Sequence, residues 1–354
     1  MKRSTRWVTR VLGVLIAASA LCVPDASVAQ TAERNNPIYR YTGADREARL
    51  VERAKQEGTL TVYTSLAPTE SRPLAEAFEK KYGIKVESWR ALSDKVVQRA
   101  VTEAQGKRYA VDVLETNGPE MEMLAREKLL AEFHSPHIAD LPVYAIPVHR
   151  LWMPDRMTFF VVAYNTAKVK RSDLPKTYEG FLDPKWRGRL GLEATDAEWM
   201  ATLIKQWGAD RGNEFFRRLA MMKPDVRKGH VLLAELVAAG EIEVGLTIYS
   251  GNAETLKRKG APIDWAPIEP VVARPQGIGV ARNAPHPNAA LLFADFVLSP
   301  ETQRLFESMG RVPVNTRVTS ALNDFRYTVV DPATVLDEAD KWNPQWERLF
   351  VNAR

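Results

Sequence analysis

Cysteine is almost missing from this sequence, whose 354 residues contain one, Cys22. A chain with a single thiol cannot form an internal disulfide or a multi-cysteine metal site. The sequence also lacks the GxSxG, HExxH, GxGxxG and GKS/T motifs that are typical of hydrolase, metalloprotease and nucleotide sites. An enzyme would have to assemble its site from distant residues, so we expect a protein without catalytic activity.

Histidine is scarce as well, with five residues in the chain. His134 and His137 have an HxxH spacing, and Asp140 follows them, so the trio could in principle bind zinc. A proline stands between the two histidines in a segment typical of a surface loop, where no regular element would orient the imidazoles. We therefore expect no metal site and no cofactor.

Long apolar runs are also absent. The longest N-terminal one, 11–23, follows basic residues and precedes the small residues Ser27 and Ala29. It is shorter than the roughly 20 residues that span a bilayer. The pattern predicts a secretory signal peptide, residues 1–29, and hence a periplasmic protein. The bulky Leu21 before Cys22 disfavours a lipid anchor.

The formal net charge of +5 falls to +2 without residues 1–29, which contain four basic residues and one acidic residue. The remaining charges of both signs are interspersed, whereas a nucleic-acid partner would require a concentrated basic face. The rest of the chain is too long for one ordinary core and predicts two domains. A small anionic ligand is compatible with this charge.

Short apolar runs alternate with helical patterns along most of the chain. After a polar, irregular stretch over 30–43 and a helix that stops at Gly58, we predict strands at 59–64, 84–89, 111–115, 157–164, 189–192, 244–249 and 277–281. Helices are predicted between the strands, including one over 287–298. This alternation predicts an α/β fold with a mainly parallel sheet, in which ligands bind beyond the carboxyl ends of the strands.

Five segments, in this order and spacing, resemble a known family: LTVYTSL (60–66), GIKVE (83–87), VAYNT (162–166), LDPKWRGRLGL (182–192) and PHPNAALLFADFVLSPETQ (285–303). Over roughly 59–315 the chain is similar to the iron(III)-type periplasmic solute-binding proteins of ABC importers. The resemblance implies a periplasmic binding protein of type II, with two α/β lobes joined by crossing hinge strands. It also implies a monomer that captures a small ligand and delivers it to a permease and its ATPase in the inner membrane.

The same resemblance implies a division of the chain. An N-terminal segment and helix (30–58) precede the first part of lobe 1 (59–156), lobe 2 (157–275) and a return to lobe 1 (276–325). C-terminal helices over 326–354 would pack on lobe 2. The lobes would be hinged near Tyr164 and Gln276.

Ferric iron is one ligand class that the resemblance implies, usually held by two neighbouring tyrosines of the second lobe. At the matching place this chain has Ile248, Tyr249 and Ser250, so the tyrosine pair is missing. We therefore expect a small organic or oxyanionic ligand. Ferric iron remains an alternative if Tyr63 and Tyr164 converge with Tyr249, and a periplasmic sensor or a secreted enzyme on the same fold are further alternatives.

Polar residues at the predicted strand ends and crossings are the candidates for ligand binding: Thr64, Ser65, Asn117, Arg156, Tyr164, Glu193, Tyr249 and Arg274. Thr64 and Ser65 precede a helix whose backbone donors suit a negative group. The arginines present a planar fork that matches carboxylate or phosphate, and Asn117 adds a donor.

The remaining candidates favour other contacts. The two tyrosines could present a ring or a hydroxyl to the ligand. Glu193 and Asp196 could bind a cationic group that Trp199 covers. Each has a structural alternative: salt bridges for the arginines, core packing for the tyrosines, and helix capping near Thr195 and Asp196.

Overall fold

The computed structural model describes residues 26–352, so most of the predicted signal peptide lies outside the described residues. The strands are β1 Thr59–Thr64, β2 Lys85–Arg90, β3 Val113–Asn117, β4 Leu130–Ala131, β5 Met153–Asn165, β6 Leu190–Glu193, β7 Asp225–Arg227, β8 Val244–Tyr249, β9 Ile263–Ala266, β10 Val271–Ala281, β11 Val312–Pro313 and β12 Tyr327–Val329. The helices are α1 Ala26–Tyr39, α2 Arg46–Glu57, α3 Pro68–Tyr82, α4 Ser93–Gln105, α5 Gly118–Arg126, α6 Ala197–Trp207, α7 Ala209–Met221, α8 His230–Ala239, α9 Ser250–Arg258, α10 Pro287–Leu298, α11 Pro300–Ser308, α12 Pro332–Asp337 and α13 Ala339–Trp346.

The strands form one mixed sheet in the order β2-β1-β3-β10-β5-β8-β6-β7. At one end β1 pairs in parallel with β2 and β3, and at the other end β6 pairs in parallel with β7 and β8. The long strands β5 and β10 run antiparallel to each other between these two parallel halves. The fold is therefore α/β with two lobes, and β5 and β10 are the crossing strands.

Each lobe buries its own hydrophobic core. Leu60, Phe78 and Phe293 belong to the first core, and Phe160, Trp199 and Phe216 belong to the second. The division follows the sequence, because strands of β-branched and apolar residues alternate with helices that cover them. None of the helices between residues 26 and 352 combines the length and apolar character that a membrane span requires.

Several predicted elements are confirmed, and others extend further than predicted. Strands β1 and β8 and helix α10 have the predicted bounds. Gly58 ends α2 in the left-handed region with φ 73°, which glycine adopts without the strain of a Cβ. Strand β10 begins at Val271, earlier than predicted, because Pro275 within it and Pro270 just before it obscure the strand pattern.

The N-terminal segment was predicted as irregular over 30–43, and this prediction is wrong. Helix α1 occupies Ala26–Tyr39 instead, held by tertiary contacts that the local pattern does not reveal. Asn35 Nδ2 donates to the carbonyl of Ala284 at 3.0 Å, and the Tyr39 hydroxyl donates to the carbonyl of Ala281 at 2.9 Å. These two contacts attach α1 to the core of the first lobe.

The C-terminal helices contact both lobes, whereas the prediction placed them on lobe 2. Helix α13 lies against α6 of the second lobe, and the Trp346 indole donates to the carbonyl of Ala194 at 2.9 Å. Helix α12 lies against α5 of the first lobe, where Arg126 pairs with Asp337 at 2.5 Å. The C-terminal segment therefore covers one side of the region between the lobes.

Candidate functional site

A cavity of about 620 Å³ lies between the lobes, with walls from both lobes and from the C-terminal helices. It lies beyond the carboxyl ends of the parallel strands in each lobe, where ligands bind in open α/β sheets. Leu336, Asn343 and Trp346 contribute the third side. This volume matches that of a small-molecule site.

The two crossing strands form the floor of this cavity. In the antiparallel register of β5 and β10, Thr158 is opposite Arg274 and Arg156 is opposite Gln276. Residues two apart on a strand share a face, and so do directly opposite residues on neighbouring strands. All four side chains therefore lie on one face of the sheet, and all four line the cavity.

Arg274 is held firmly but keeps part of its hydrogen-bonding capacity. Its side chain is buried, with Nη1 paired to Glu198 Oε1 and the guanidinium 5.1 Å from the Tyr249 ring centroid. Its Nε and Nη2 atoms have no hydrogen-bond partner among residues 26–352. These two atoms form one edge of the planar guanidinium, which is the edge that can donate two parallel bonds to an oxyanion.

Gln276 offers a third donor beside Arg274. The residue is 2% exposed, and its Nε2 atom has no hydrogen-bond partner within the described part of the chain. Asn117, opposite Gln276 on β3, donates to Ser93 Oγ at 2.7 Å. Because a buried donor without a partner costs about 1–3 kcal/mol, unpaired donors in a cavity wall favour a ligand that accepts from them.

Arg156 pairs with two carboxylates of the protein through its Nη1 atom. Its Nη1 atom lies 2.7 Å from Glu115 Oε1 and 2.9 Å from Asp155 Oδ2, and all three residues are buried. Burial raises the pKa of Asp155 to about 7, although the Arg156 charge opposes the shift. The sequence-based alternative of a salt bridge therefore describes the main contacts of Arg156, while its side chain still lines the cavity.

Among the helices between residues 26 and 352, six begin at the cavity wall, three in each lobe. In the first lobe α3, α4 and α5 follow β1, β2 and β3, and in the second lobe α6, α8 and α9 follow β6, β7 and β8. Residues at each of these starts line the cavity, among them Pro68, Ser93, Pro119, Ala197 and His230. The unpaired backbone N–H groups and the positive end of each helix dipole make such a wall favourable for negative groups.

Two acidic side chains in the wall also keep unpaired oxygens. Glu198 is 7% exposed, and its Oε2 atom has no partner among residues 26–352 while Oε1 accepts from Arg274. Glu120 Oε2 is likewise unpaired in that range. Burial raises the pKa of both carboxyls, that of Glu198 to about 7, while the Arg274 charge lowers both.

Glu193, Asp196 and His230 bring their candidate ligand atoms within 4.8 Å of one another. Both carboxylate oxygens of Glu193 nevertheless accept hydrogen bonds from the protein, one from the Thr195 hydroxyl at 2.7 Å and one from the Gly229 amide at 2.8 Å. His230 Nε2 lies 3.2 Å from Asp196, and its Nδ1 lies 3.1 Å from the carbonyl of Thr247. These contacts join the loops after β6 and β7 to strand β8, so the cluster has a sufficient structural role.

The structure brings six of the eight candidate residues to the cavity: Ser65, Asn117, Arg156, Glu193, Tyr249 and Arg274. Thr64 and Tyr164 lie elsewhere. The Thr64 hydroxyl is buried, bonds to Glu115 and accepts from the Leu66 amide at 2.9 Å, which shapes the loop before α3. Trp199 is fully buried against Phe216 and does not cover the site.

The three tyrosines considered for ferric iron do not converge. The Tyr63 hydroxyl lies 2.8 Å from Glu103, that of Tyr164 lies 3.4 Å from Asp264, and Tyr249 stacks on His230 with ring centroids 3.3 Å apart. Burial raises the pKa of Tyr63 to about 12 and also raises that of Tyr164. Both effects oppose the tyrosinate form that ferric iron prefers.

Sequence reasoning missed Gln276 as a donor, and it missed the carboxylates of Glu120 and Glu198. Gln276 was detectable, because it stands two residues after Arg274 on the crossing strand and therefore shares its face. Glu120 and Glu198 stand in the first turns of α5 and α6, where acidic residues are common for local reasons. Only the spatial approach of both helices to Arg274 distinguishes these two residues.

Comparison with known proteins places this geometry among binding proteins. The profile described as bacterial extracellular solute-binding protein matches residues 73–325. A putative 2-aminoethylphosphonate-binding periplasmic protein of Salmonella typhimurium is 26% identical over 289 residues, which cover 78% of this chain and 82% of that relative.

Solved structures agree with the fold. The crystal structure of iron-bound HitA from Pseudomonas aeruginosa has a TM-score of 0.71 at 25% identity, and the match covers 81% of this chain and 99% of that one. The periplasmic binding protein AfuA from Actinobacillus pleuropneumoniae, with fructose-6-phosphate bound, has a TM-score of 0.70 at 22% identity. The match covers 83% of this chain and 99% of that one. Proteins of this fold therefore hold chemically different ligands.

Proposed function

The chain belongs to the bacterial extracellular solute-binding proteins and is the ligand-capturing component of an ABC importer, and we propose that its ligand is a small organic molecule with an oxyanionic group. Members of this family bind their ligands and deliver them to ABC permeases, and they are binding proteins, not enzymes. The oxyanion is held at the crossing strands between the lobes.

The unpaired Nε and Nη2 edge of Arg274 carries this proposal. A phosphonate, phosphate or carboxylate accepts two parallel bonds from such an edge, and the Gln276 amide adds a third donor on the same strand face. The helix starts around the cavity add six sets of backbone donors. An oxyanion satisfies donors that otherwise lack partners, so binding removes a penalty that the protein carries without ligand.

An organic oxyanion is favoured over ferric iron. Of the three tyrosines that could hold iron, Tyr63 and Tyr164 bond to different carboxylates and Tyr249 stacks on His230. Both oxygens of Glu193 in the acidic cluster already accept hydrogen bonds from the protein. The phosphonate-binding relative from Salmonella supports an organophosphorus ligand in this branch of the family. The ligand class proposed here therefore rests on the donors of the floor and agrees with that relative.

Capture proceeds by closure of the two lobes. The helix starts of both lobes contribute to the wall, so a ligand in the cavity contacts lobe 1 and lobe 2 at once. Only contacts made in the closed form shift the population toward closure. The bending falls on β5 and β10, where the register of the pair shifts between Gln276 and Gly277.

The same proposal includes the setting of the protein. We expect export by the signal peptide to the periplasm, where the curated relative is described. We also expect a monomer that docks on a permease whose ATPase drives uptake, and no enzymatic activity on the ligand. Size-exclusion chromatography with light scattering of the exported protein tests the monomer.

A thermal unfolding panel tests the ligand class. Residues 30–354 are titrated with 2-aminoethylphosphonate, a sugar phosphate, short carboxylates, uncharged sugars and ferric iron with carbonate. A ligand at about 100 times its Kd adds roughly 2.7 kcal/mol of stability. A shift with at least one organic oxyanion supports the proposal. A shift with ferric iron or an uncharged sugar alone contradicts it.

A further inference from the structure

The charges of the cavity wall indicate that the ligand has a further charged group besides the oxyanion. Each buried arginine there already has a carboxylate of the protein beside it: Arg156 has Glu115 and Asp155, Arg274 has Glu198, and Arg311 has Glu70. At the rim, Lys228 pairs with Asp94 at 3.2 Å. A ligand with only negative charge would enter a wall without surplus buried positive charge.

Around Arg274 the balance is negative. Glu198 bonds to its guanidinium, and Glu120 is close enough for the Arg274 charge to act on its carboxyl. The single positive charge of Arg274 is therefore shared by the carboxylates of Glu198 and Glu120. Each of these carboxylates keeps an oxygen that has no partner in the described chain. Buried carboxylate oxygens without partners are costly, and the natural complement is a cationic donor.

We propose that the ligand is a zwitterion, whose oxyanion binds the free edge of Arg274 and whose ammonium group binds the unpaired oxygens of Glu120 and Glu198. This inference rests on the proposed function and names its substrate class, an amino-substituted small oxyanion. Both subsites adjoin one guanidinium, so the ammonium and oxyanion groups are separated by a short spacer. The ammonium supplies three donors, enough for both carboxylates.

The arrangement also explains the position of the two acids. Glu120 lies in the first turn of α5 in lobe 1, and Glu198 lies in the first turn of α6 in lobe 2. An ammonium between them connects the lobes, and the same ligand's oxyanion attaches to the crossing strand. Selection of ligands that have an amino group is thus coupled to closure of the lobes, because the two carboxylates come from different lobes.

Paired ligands test the inference by isothermal titration calorimetry in the unaltered protein. The pairs are 2-aminoethylphosphonate with ethylphosphonate, taurine with ethanesulfonate, and β-alanine with propionate. A charge-assisted contact to a buried carboxylate predicts that the amino member of a binding pair binds at least about tenfold more tightly. If both members of every binding pair bind equally, the zwitterion inference is wrong while the oxyanion proposal stands. If no member of any pair binds, the zwitterion inference is wrong, and the thermal unfolding panel decides the oxyanion proposal by itself.

A substitution with a matched control tests whether Glu120 binds the ammonium group of the ligand. Glu120→Gln keeps the shape of the side chain and should weaken 2-aminoethylphosphonate by at least about tenfold while leaving ethylphosphonate unchanged or tighter. Glu127→Gln, at the exposed residue that directly follows the same helix, serves as the control and should change neither affinity. An equal loss for both ligands would assign Glu120 a structural role and contradict the inference.

Discussion

Replacing Arg274 by lysine separates charge from geometry in the proposed site. Lysine keeps a positive charge near Glu198 and Tyr249, but it cannot present the edge formed by Nε and Nη2. At most one of the two proposed bonds to the oxyanion survives. Loss of one charge-assisted hydrogen bond costs about 1.5–3 kcal/mol, which corresponds to about a 10- to 150-fold rise in Kd.

The unliganded protein should respond differently to Arg274→Lys. The pairing of Glu198 with a cation is preserved, and the burial of Glu198 raises its pKa to about 7, so that protonation limits any remaining cost. We expect the free energy of unfolding to change by less than about 1 kcal/mol. Calorimetry with 2-aminoethylphosphonate and urea unfolding without ligand measure the two effects.

The control for this experiment is Arg189→Lys, on the far side of lobe 2, where Arg189 pairs with Glu243 at 2.5 Å. It should leave the affinity unchanged. An Arg274→Lys protein that binds the phosphonate as tightly as the unaltered chain would refute the proposed pair of bonds from Arg274 Nε and Nη2 to the oxyanion. A fall in affinity matched by a large fall in stability would show that Arg274 acts through the fold.

Three further outcomes are expected. Burial raises the pKa of Asp155 from 3.8 to about 7, so the folded protein binds a proton that the unfolded chain releases, and stability falls as pH rises through that window. Urea unfolding at pH 5 and pH 8 should show a smaller fall for Asp155→Asn, and an unchanged fall would contradict this assignment. A Cβ on Gly277 would overlap the Trp152 ring, so Gly277→Ala should destabilise by about 1–3 kcal/mol in thermal unfolding, whereas Gly106→Ala should be nearly neutral. Ferric salts should give no visible tyrosinate absorption band, and a band lost in Tyr249→Phe would restore an iron site.

The alternation of strands and helices was visible in the sequence because each pattern buries its own face. The runs 59–64 and 244–249 are short, β-branched and fully within the sheet, and their predicted bounds agree with the structure. Helix α1 was missed because Asn35 and Tyr39 attach it to the distant end of β10 and the loop that follows. Such long-range contacts leave no local periodicity.

The candidate site was predictable in part, for a related reason. Tyr249 and Asn117 follow from the rule that ligands bind beyond the carboxyl ends of strands, and Arg274 follows from its place on a predicted crossing strand. Tyr164 was misplaced because its side chain approaches Asp264 and does not line the cavity. The acidic pair Glu120 and Glu198 could not be inferred, since 78 positions separate the two residues and only the tertiary fold brings both near Arg274.

A crystal structure of the protein with 2-aminoethylphosphonate tests the central claim most directly. The account predicts the phosphonate oxygens within hydrogen-bond distance of Arg274 Nε and Nη2, between two closed lobes. It predicts the ammonium group against Glu120 and Glu198. A phosphonate bound away from the crossing strands, or a metal ion on Tyr249 and His230 with no organic ligand at Arg274, would contradict it.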